Sequence, residues 1–274
     1  MNTAPHTMPI DAHALILRED RDGIAQLTLN QPRSRNALSL AMLGAMQSIL
    51  DAIAADSSVR VVVIAANGPA FCPGHDLKEL TAARAQPDSG KAFFEQTFAH
   101  CARMMQSIVA LPQPVIAVVE TFATAAGCQL VATCDLAIAG ENAAFATPGV
   151  NIGLFCSTPM VALSRNVARK HAMEMLLTGQ PADAETAFRF GLVNRVVPAG
   201  EALNAALDLA ALIASKARST IKVGKKAFYE QAEMGLSDAY NHASQVMVTN
   251  MLAGDACEGI EAFIQKRNPE WNNS

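Results

Sequence analysis

Two turns built from small residues are the segments of this sequence that offer the clearest chemistry. The first spans residues 67–80, where Gly74 precedes a helix predicted to begin near Asp76. The second spans residues 120–129, where the side chains shrink around Ala126 just before another helix. A helix N-terminus leaves unpaired N–H groups and the positive end of a dipole, and a turn without bulky side chains lets a ligand oxygen approach them. Together the two turns predict an oxyanion hole; the alternative is ordinary turn chemistry with close helix packing.

Apolar runs of strand length lead into these turns and alternate with helical stretches. Runs 60–66 and 114–119 are typical of buried strands, and 136–139 is predicted as a third strand. Two amphipathic stretches separate the strands, one at 40–55 with Ser39 as its N-cap and one at 90–111. Because strand, helix and strand alternate, the strands must pair in parallel through crossovers, which predicts an α/β core.

The two ends of the chain depart from this alternation. Residues 14–17 and 24–29 are short apolar runs on either side of the turn-forming residues 19–23, which is a hairpin signal. Residues 201–274 are helical in pattern and contain no predicted strand. We therefore expect a core in residues 1–200 and a C-terminal helical region in residues 201–274 that packs on another subunit.

Composition excludes several classes of protein. A chain of 274 residues that is 51% hydrophobic can bury a large core, so disorder is excluded as the dominant state. A net charge of −4 leaves no electrostatic footprint for nucleic acid or for an anionic membrane surface. No apolar run reaches the roughly eighteen residues that a bilayer span needs, so no membrane-spanning segment is expected.

Cysteine usage and the N-terminus concern the compartment. The six cysteines are scattered among apolar neighbours without the paired spacing of a zinc site, which is typical of reduced thiols, and no metal is expected. Residues 1–20 lack a basic start followed by an apolar block, so neither a signal peptide nor a transit peptide is predicted. The expected location is the cytoplasm.

The motifs as a set resemble a known family. The block Gly-Pro-Ala-Phe-Cys-Pro-Gly-His-Asp-Leu-Lys-Glu-Leu at 68–80 resembles the signature of the crotonase (enoyl-CoA hydratase/isomerase) family. Pro-Val-Ile-Ala-Val-Val at 114–119, Ala-Ala-Gly-Cys-Gln-Leu at 125–130 and Cys-Asp-Leu-Ala-Ile-Ala at 134–139 follow in that family's order and spacing. The likeness continues to Glu-Gly-Ile-Glu-Ala-Phe-Ile-Gln-Lys-Arg near the C-terminus, so it covers nearly the whole chain.

This resemblance implies a fold, a ligand and an assembly. The fold is a ββα-spiral core, and its C-terminal helical region serves trimer formation, often with two trimers forming a hexamer. The ligand is an acyl-CoA thioester, with coenzyme A as part of the substrate and no separate cofactor. By matching position, the backbone N–H groups of His75 and Ala126 form the oxyanion hole.

The resemblance also shows where this sequence departs from the hydratases. Their two catalytic glutamates fall on Gln129 and Gly149. Glutamine cannot accept and release a proton near neutral pH, and glycine has no side chain, so hydration by general acid–base catalysis in that form is not available. We expect hydration to be orders of magnitude slower than in a two-glutamate hydratase, and expect Gln129→Glu with Gly149→Glu to raise it.

Other residues are candidates for the missing chemistry. Ser157 matches the position of an aspartate used elsewhere in the family, and Cys156 precedes it; either they form an acyl-enzyme or they are packed small residues. The imidazole of His75 titrates near neutral pH, and its side chain lies either in the pocket or in solvent. Glu120 stands where the family shows asparagine; it is either a displaced acid–base group or a residue that pairs with an arginine or caps a turn.

Five further residues are candidate contacts for coenzyme A. Lys78 and the pair Arg33 and Arg35 either meet its phosphates or are solvated surface cations. Phe263 and Lys266 match the family's tail that closes over coenzyme A, with Lys266 acting from a neighbouring subunit.

The sequence thus predicts a thioester-binding enzyme of this family with altered or weak chemistry. Two alternatives remain open: a true enoyl-CoA hydratase that works through unusual groups, and a noncatalytic acyl-CoA-binding or regulatory protein.

Overall fold

The computed structural model describes residues 14–272. Within this range the chain forms nine β-strands and eleven α-helices. The strands are β1 (Ile16–Arg21), β2 (Ile24–Leu29), β3 (Val61–Ala66), β4 (Val115–Val119), β5 (Phe122–Thr124), β6 (Leu136–Gly140), β7 (Ala144–Ala146), β8 (Ala182–Asp183) and β9 (Arg195–Val197). The helices are α1 (Leu40–Ala55), α2 (Leu77–Ala83), α3 (Lys91–Ala110), α4 (Ala126–Thr133), α5 (Pro159–Asn166), α6 (Arg169–Thr178), α7 (Ala184–Phe190), α8 (Ala202–Ala214), α9 (Arg218–Ala232), α10 (Leu236–Met251) and α11 (Gly254–Gln265).

A six-stranded sheet in the order β1-β2-β3-β4-β6-β9 forms the centre of the fold. All its strand pairs are parallel except β1 and β2, which form the predicted hairpin. Residues 19–21, predicted as part of the turn, belong to β1. The turn is reduced to Asp22 and Gly23, which both have positive φ, because an Asp-Gly pair suits the two-residue turn that matches the twist of a hairpin.

Two helix starts predicted from single residues are confirmed. The Ser39 side chain accepts a hydrogen bond from the Met42 N–H at 3.1 Å and begins α1. The Asp76 carboxylate accepts from the Lys78 N–H at 2.8 Å and begins α2. These caps satisfy N–H groups that a helix cannot satisfy internally.

A second sheet, of three short strands in the order β5-β7-β8, is absent from the sequence prediction. Strands of two or three residues carry no readable periodicity, and the first of them lies inside the predicted turn at 120–129. The chain leaves β4 at Val119, re-enters a sheet at Phe122 and passes directly into α4. The position of β5 therefore fixes where α4 begins.

The central sheet is buried on both faces, as its apolar runs predict. Within β3, Val62 and Ile64 face the cluster that contains α1 and α3, whereas Val61 and Val63 face α8. Helix α8 approaches this face closely because it presents small side chains, namely Ala202, Ala206 and Ala210, all fully buried. Helix α8 thus covers the sheet, and the predicted division of the chain at residue 200 stays a prediction.

Helix α9 is fastened to the core by a buried ion pair. Lys225 Nζ lies 2.7 Å from an Asp135 carboxylate oxygen and also donates to the carbonyl oxygens of Ile108 and Gln113 at 3.0 Å. The Tyr229 hydroxyl donates to the other Asp135 oxygen at 2.9 Å. This network joins α9 to α3 and to the loops before β4 and β6.

Helices α9 to α11 expose many apolar side chains. The large ones in these helices and the loops between them are Phe228, Met234, Leu236, Tyr240, Met247, Val248, Met251, Leu252, Ile260, Phe263 and Ile264. Within residues 14–272, no helix is both long and apolar enough to cross a membrane.

Candidate functional site

The two turns singled out in the sequence are hydrogen-bonded to each other. The Phe71 N–H donates to the Phe122 carbonyl at 3.0 Å, and the Thr124 N–H donates to the Cys72 carbonyl at 2.9 Å. The Thr124 hydroxyl donates to the Pro73 carbonyl at 2.9 Å. These contacts hold the end of the first turn against β5, so the starts of α2 and α4 become neighbours.

Two glycines allow this approach. A Cβ on Gly127 would lie 2.0 Å from the Cys72 carbonyl oxygen. A Cβ on Gly74 would lie 2.9 Å from the Ala125 Cβ and 3.2 Å from the Ala126 nitrogen, and Gly74 has φ +105°. Any side chain at either position would push the turns apart.

The backbone N–H groups of His75 and Ala126 are two of the free donors where these turns meet. On either side of His75, the Leu38 N–H donates to the Gly74 carbonyl at 2.8 Å and the Asp76 N–H donates to the Leu38 carbonyl at 3.4 Å. Between them the His75 N–H has no acceptor among residues 14–272, and neither does the Ala126 N–H in the first turn of α4. Two unpaired donors on adjoining turns are what an oxyanion hole requires.

Ala125 directs one of these donors through a strained backbone. Its φ of 50° and ψ of −119° lie in a region that residues with a Cβ rarely adopt. The conformation is held because the Ala125 N–H donates to the Ala146 carbonyl at 2.9 Å and its own carbonyl accepts from the Gln129 N–H at 3.0 Å. Backbone strain of about 1–3 kcal/mol persists where the surroundings enforce it, commonly at functional sites.

The imidazole of His75 is turned inward. Its Nδ1 lies 3.4 Å from the Leu38 carbonyl oxygen, and its ring meets Phe98 edge-on with centroids 5.3 Å apart. Its Nε2 is buried and has no hydrogen-bond partner in the described chain. Burial lowers the pKa of His75 below its usual value, so the ring is neutral at pH 7. The side chain is half-buried with Nε2 enclosed, so it is not turned fully into solvent, and its position in the pocket stays a prediction.

Gln129 and Thr147 add two further buried polar groups without partners. Gln129 is 5% exposed, and its Oε1 has no hydrogen-bond partner in residues 14–272. Thr147 is fully buried, and its hydroxyl has no hydrogen-bond partner in these residues either. Both adjoin Ala125, since Gln129 N–H donates to its carbonyl and Thr147 follows Ala146. Buried polar groups are normally paired, so these mark a place where a ligand or water belongs. The sequence analysis did not identify Thr147 as a site residue. The feature that could have indicated it is a hydroxyl side chain between the apolar residues 144–146 and Pro148.

A side chain at Gly149 would force the surrounding backbone to shift. A Cβ there would lie 2.8 Å from the Leu154 carbonyl oxygen and 2.9 Å from the Cys156 Sγ. The Leu154 N–H donates to the Gly149 carbonyl at 2.9 Å, which closes the loop on itself. The expectation that restoring both glutamates raises hydration therefore conflicts with the space available.

Cys156 and Ser157 are not arranged as nucleophiles. Burial raises the pKa of the Cys156 thiol, which disfavours the thiolate. The exposed Ser157 donates to the nearby Phe155 carbonyl at 3.3 Å. No histidine or carboxylate of the described chain is hydrogen-bonded to either side chain, so their geometry fits packing better than acyl transfer.

Glu120 is a helix cap. Its carboxylate accepts from the Gly200 N–H at 2.9 Å and from the Ala202 N–H at 2.8 Å, at the start of α8. The negative charge meets the positive end of the helix dipole. The structure therefore favours capping over an acid–base role for Glu120.

The candidate coenzyme A contacts divide into two groups. Lys78 lies near the start of α2, inside the 67–80 segment. The loop of Arg33 and Arg35 is attached to the same segment, because the buried Asn36 amide donates to the Asn67 and Ala70 carbonyls. Both therefore lie beside the first turn. The remaining two, Phe263 (85% exposed) and Lys266, lie at the end of α11, which packs on α9 and α10. The structure of the single chain does not bring this second group to the turns.

Comparison with known proteins connects this geometry to a family. The curated protein "Enoyl-CoA hydratase domain-containing protein 3, mitochondrial" of Rattus norvegicus is 50% identical over 253 residues, which are 92% of this chain and 83% of the relative. A crystal structure of enoyl-CoA hydratase from Mycobacterium smegmatis is 49% identical, with a TM-score of 0.90 over 94% of this chain and 99% of that chain. The crystal structure of human enoyl Coenzyme A hydratase domain-containing protein 3 is 46% identical, with a TM-score of 0.89 over 94% of this chain and 100% of that chain.

The class is therefore the crotonase fold, with a mixed α/β core and C-terminal helices. Residues 19–274 match the enoyl-CoA hydratase/isomerase family, and the chain belongs to it. The resemblance inferred from the motifs is confirmed.

One prediction is contradicted by these relatives. The rat, mouse and human proteins, at 50%, 49% and 48% identity, all carry "mitochondrial" in their names, so the cytoplasmic location predicted from the sequence does not stand. That prediction depended on the N-terminal segment, of which residues 1–13 lie outside the described residues.

Proposed function

We propose that this protein binds acyl-CoA thioesters, with the thioester carbonyl oxygen between the backbone N–H groups of His75 and Ala126. The observation that carries the proposal is the pair of unpaired donors on two turns that are hydrogen-bonded to each other. Membership in the family and the names of the relatives, which refer to enoyl-CoA, support a coenzyme A thioester as the ligand.

The chemistry that suits this hole places negative charge on the bound oxygen. Donors held in place by the fold stabilise that charge without reorganising, and losing one such donor in enzymes that use it costs about 2.7–4 kcal/mol of transition-state stabilisation. An enolate and a tetrahedral adduct both fit. Efficient hydration does not, because Gln129 does not titrate and Gly149 has no space for a side chain.

The rest of the ligand and the assembly complete the proposal. Arg33, Arg35 and Lys78 lie beside the first turn, where their charges suit the phosphates of coenzyme A. The exposed apolar faces of α9 to α11 suit contact with further copies of the chain, in a trimer or a hexamer of two trimers. Phe263 and Lys266 of a neighbouring subunit would then close over coenzyme A.

Paired ligands test the hole without altering the protein. Butyryl-CoA carries the carbonyl, whereas the thioether S-butyl-CoA lacks it, and calorimetry measures both affinities. Two hydrogen bonds of roughly 0.5–1.5 kcal/mol each predict tighter binding of the thioester. Ala126→Val, which crowds the oxygen but keeps the N–H, should narrow the difference. Equal affinities for the two ligands would refute the hole.

A binding protein without turnover is the second candidate, favoured by the absence of an ionisable side chain at positions 129 and 149. Incubation with enoyl-, hydroxyacyl- and malonyl-CoA, with mass detection of products, separates the two. Any enzyme-dependent product supports an enzyme; binding without product supports the second candidate.

A further inference from the structure

We propose that the imidazole of His75 is the acid–base group of this site, accepting at Nε2 a proton from the carbon next to the thioester carbonyl and returning it. The inference depends on the proposed function, because it requires a thioester in the hole. The histidine would then supply the acid–base group that Gln129 and Gly149 do not provide.

The tautomer follows from the hydrogen bond to Leu38. A carbonyl oxygen only accepts, so the Nδ1 that faces the Leu38 oxygen at 3.4 Å carries the proton. The lone pair of the neutral ring is then on Nε2, the buried atom with no partner in the described chain. An unpaired buried acceptor is costly for a structure to keep, which is a reason to look for a role.

The ring and one donor of the hole belong to the same residue. His75 supplies the donor through its N–H and the basic nitrogen through its side chain, and the proposal places the α-carbon of the bound thioester against this ring. The edge-on contact with Phe98 and the bond to Leu38 limit the rotation of the imidazole. A base held in this way needs little reorganisation.

Other titratable groups near these turns are hydrogen-bonded as caps, held as neutral thiols or exposed to solvent. Asp76 caps α2, and Glu79 accepts from the Leu40 N–H at 3.0 Å. Burial raises the pKa of the Cys72 and Cys101 thiols to about 12. Lys78 is exposed on the first turn of α2. His75 is left as the group that both titrates near neutral pH and lies inside.

The proposed step balances within the bound thioester. The Cα–H bond breaks, its proton passes to Nε2, and its electron pair forms the carbon–carbon double bond of an enolate. The negative charge moves to the oxygen held by the N–H groups of His75 and Ala126. The imidazolium then returns a proton to the same carbon, so no other reactant is consumed.

Deuterium exchange tests this step with a ligand that cannot be hydrated. Butyryl-CoA is incubated with the protein in D₂O, and mass spectrometry follows deuterium at the α-carbon. The matched variant is His75→Asn, which keeps the backbone N–H and an amide able to donate to the Leu38 carbonyl, but lacks Nε2. We expect exchange to fall roughly 10²- to 10⁴-fold in this variant, the range for general acid–base catalysis, with butyryl-CoA affinity little changed.

Two controls separate chemistry from structure. His171→Gln removes a histidine on α6 that stacks on Phe190 and has no role in the proposed proton transfer, and it should exchange like wild type. His75→Ala should regain part of its exchange when imidazole is added, because free imidazole can occupy the vacated space.

The outcomes distinguish this inference from the proposed function. If wild-type protein failed to bind butyryl-CoA, the proposed function and this inference would both fall. If it bound butyryl-CoA but incorporated no deuterium, or if His75→Asn exchanged as fast as wild type, the role of His75 would be wrong while the hole could stand.

Discussion

The Sγ of Cys156 lies 2.9 Å from the point that a Cβ on Gly149 would occupy. A cysteine of the same loop thus fills the direction in which a hydratase carboxylate at position 149 would project. The Leu154 carbonyl oxygen, 2.8 Å from the same point, closes the backbone side. Removing the thiol alone would therefore not make room.

The first prediction is that Gly149→Glu destabilises the protein and leaves hydration low, even when combined with Gln129→Glu. Forcing a side chain into this packed loop should cost about 1–3 kcal/mol or more. Urea unfolding gives the stability, and loss of crotonyl-CoA absorbance gives the hydration rate. Gly44→Ala is the matched control, because a Cβ on Gly44 in α1 meets no atom within 4 Å and alanine favours a helix. A stable double variant that hydrates crotonyl-CoA efficiently would contradict the prediction.

The second prediction concerns the strained residue before the hole. Ala125 has φ 50° and ψ −119°, a conformation that glycine adopts without penalty. Ala125→Gly should therefore stabilise the folded protein by up to about 1 kcal/mol, after the greater freedom of glycine in the unfolded chain is subtracted. Thermal unfolding followed by circular dichroism measures the shift. A loss of stability larger than the roughly 1 kcal/mol that the freedom of glycine costs would show that the alanine is not strained.

Most of the fold was predictable because its longer strands and helices have clear hydrophobic patterns in the sequence. The buried strands at 60–66 and 114–119 have continuous apolar runs, and α1 has a capping serine and an apolar stripe, so β3, β4 and α1 are confirmed within one residue. The small second sheet has strands too short for any period. It was missed for that reason.

The site was predictable only in part. Gly74 and Ala126 marked the two turns, but three facts about the site arise from tertiary contacts that no local pattern encodes. These are the strain at Ala125, the unpaired hydroxyl of Thr147 and the thiol that fills the space at Gly149. Glu120 shows the same limit, because its partners at Gly200 and Ala202 lie about eighty residues further along the chain.

The third prediction compares two adjacent lysines of α9. Lys225 is buried and makes an ion pair with Asp135 at 2.7 Å, whereas Lys226 is exposed and lies 3.8 Å from Glu230. Lys225→Met should cost about 3–5 kcal/mol because it leaves a buried carboxylate without its cation. Lys226→Met should change stability by no more than about 0.5 kcal/mol, as exposed pairs on a helix do. Urea unfolding of both variants tests this; equal effects would mean that the Asp135 network does not hold α9.

The fourth prediction concerns the proposed assembly. Leu236 is 78% exposed at the start of α10, and Leu252 is 80% exposed just after its end. If these surfaces contact further copies of the chain, Leu236→Ser with Leu252→Ser should lower the mass measured by light scattering while circular dichroism stays unchanged. Leu212→Ser on the exposed side of α8 is the control. A monomeric wild-type protein, or a double variant of unchanged mass, would count against the proposed interface.

The last prediction is the pH dependence of α-proton exchange. Only the neutral imidazole of His75 can accept a proton, so the exchange rate should rise with pH and level off above the pKa of that group. Burial favours the neutral ring and lowers this pKa, whereas the weaker effect of the Leu38 carbonyl opposes it. The midpoint should therefore lie below 6.5, the ordinary value for histidine, and most of the plateau rate should be reached at pH 7. The rate of butyryl-CoA deuteration measured across this range in constant ionic strength gives the profile, and the residual rate of His75→Asn gives its baseline. A rate that kept rising above pH 9 would instead identify a buried cysteine as the base, because burial raises the pKa of these thiols. A profile unchanged in His75→Asn would remove the imidazole from the mechanism.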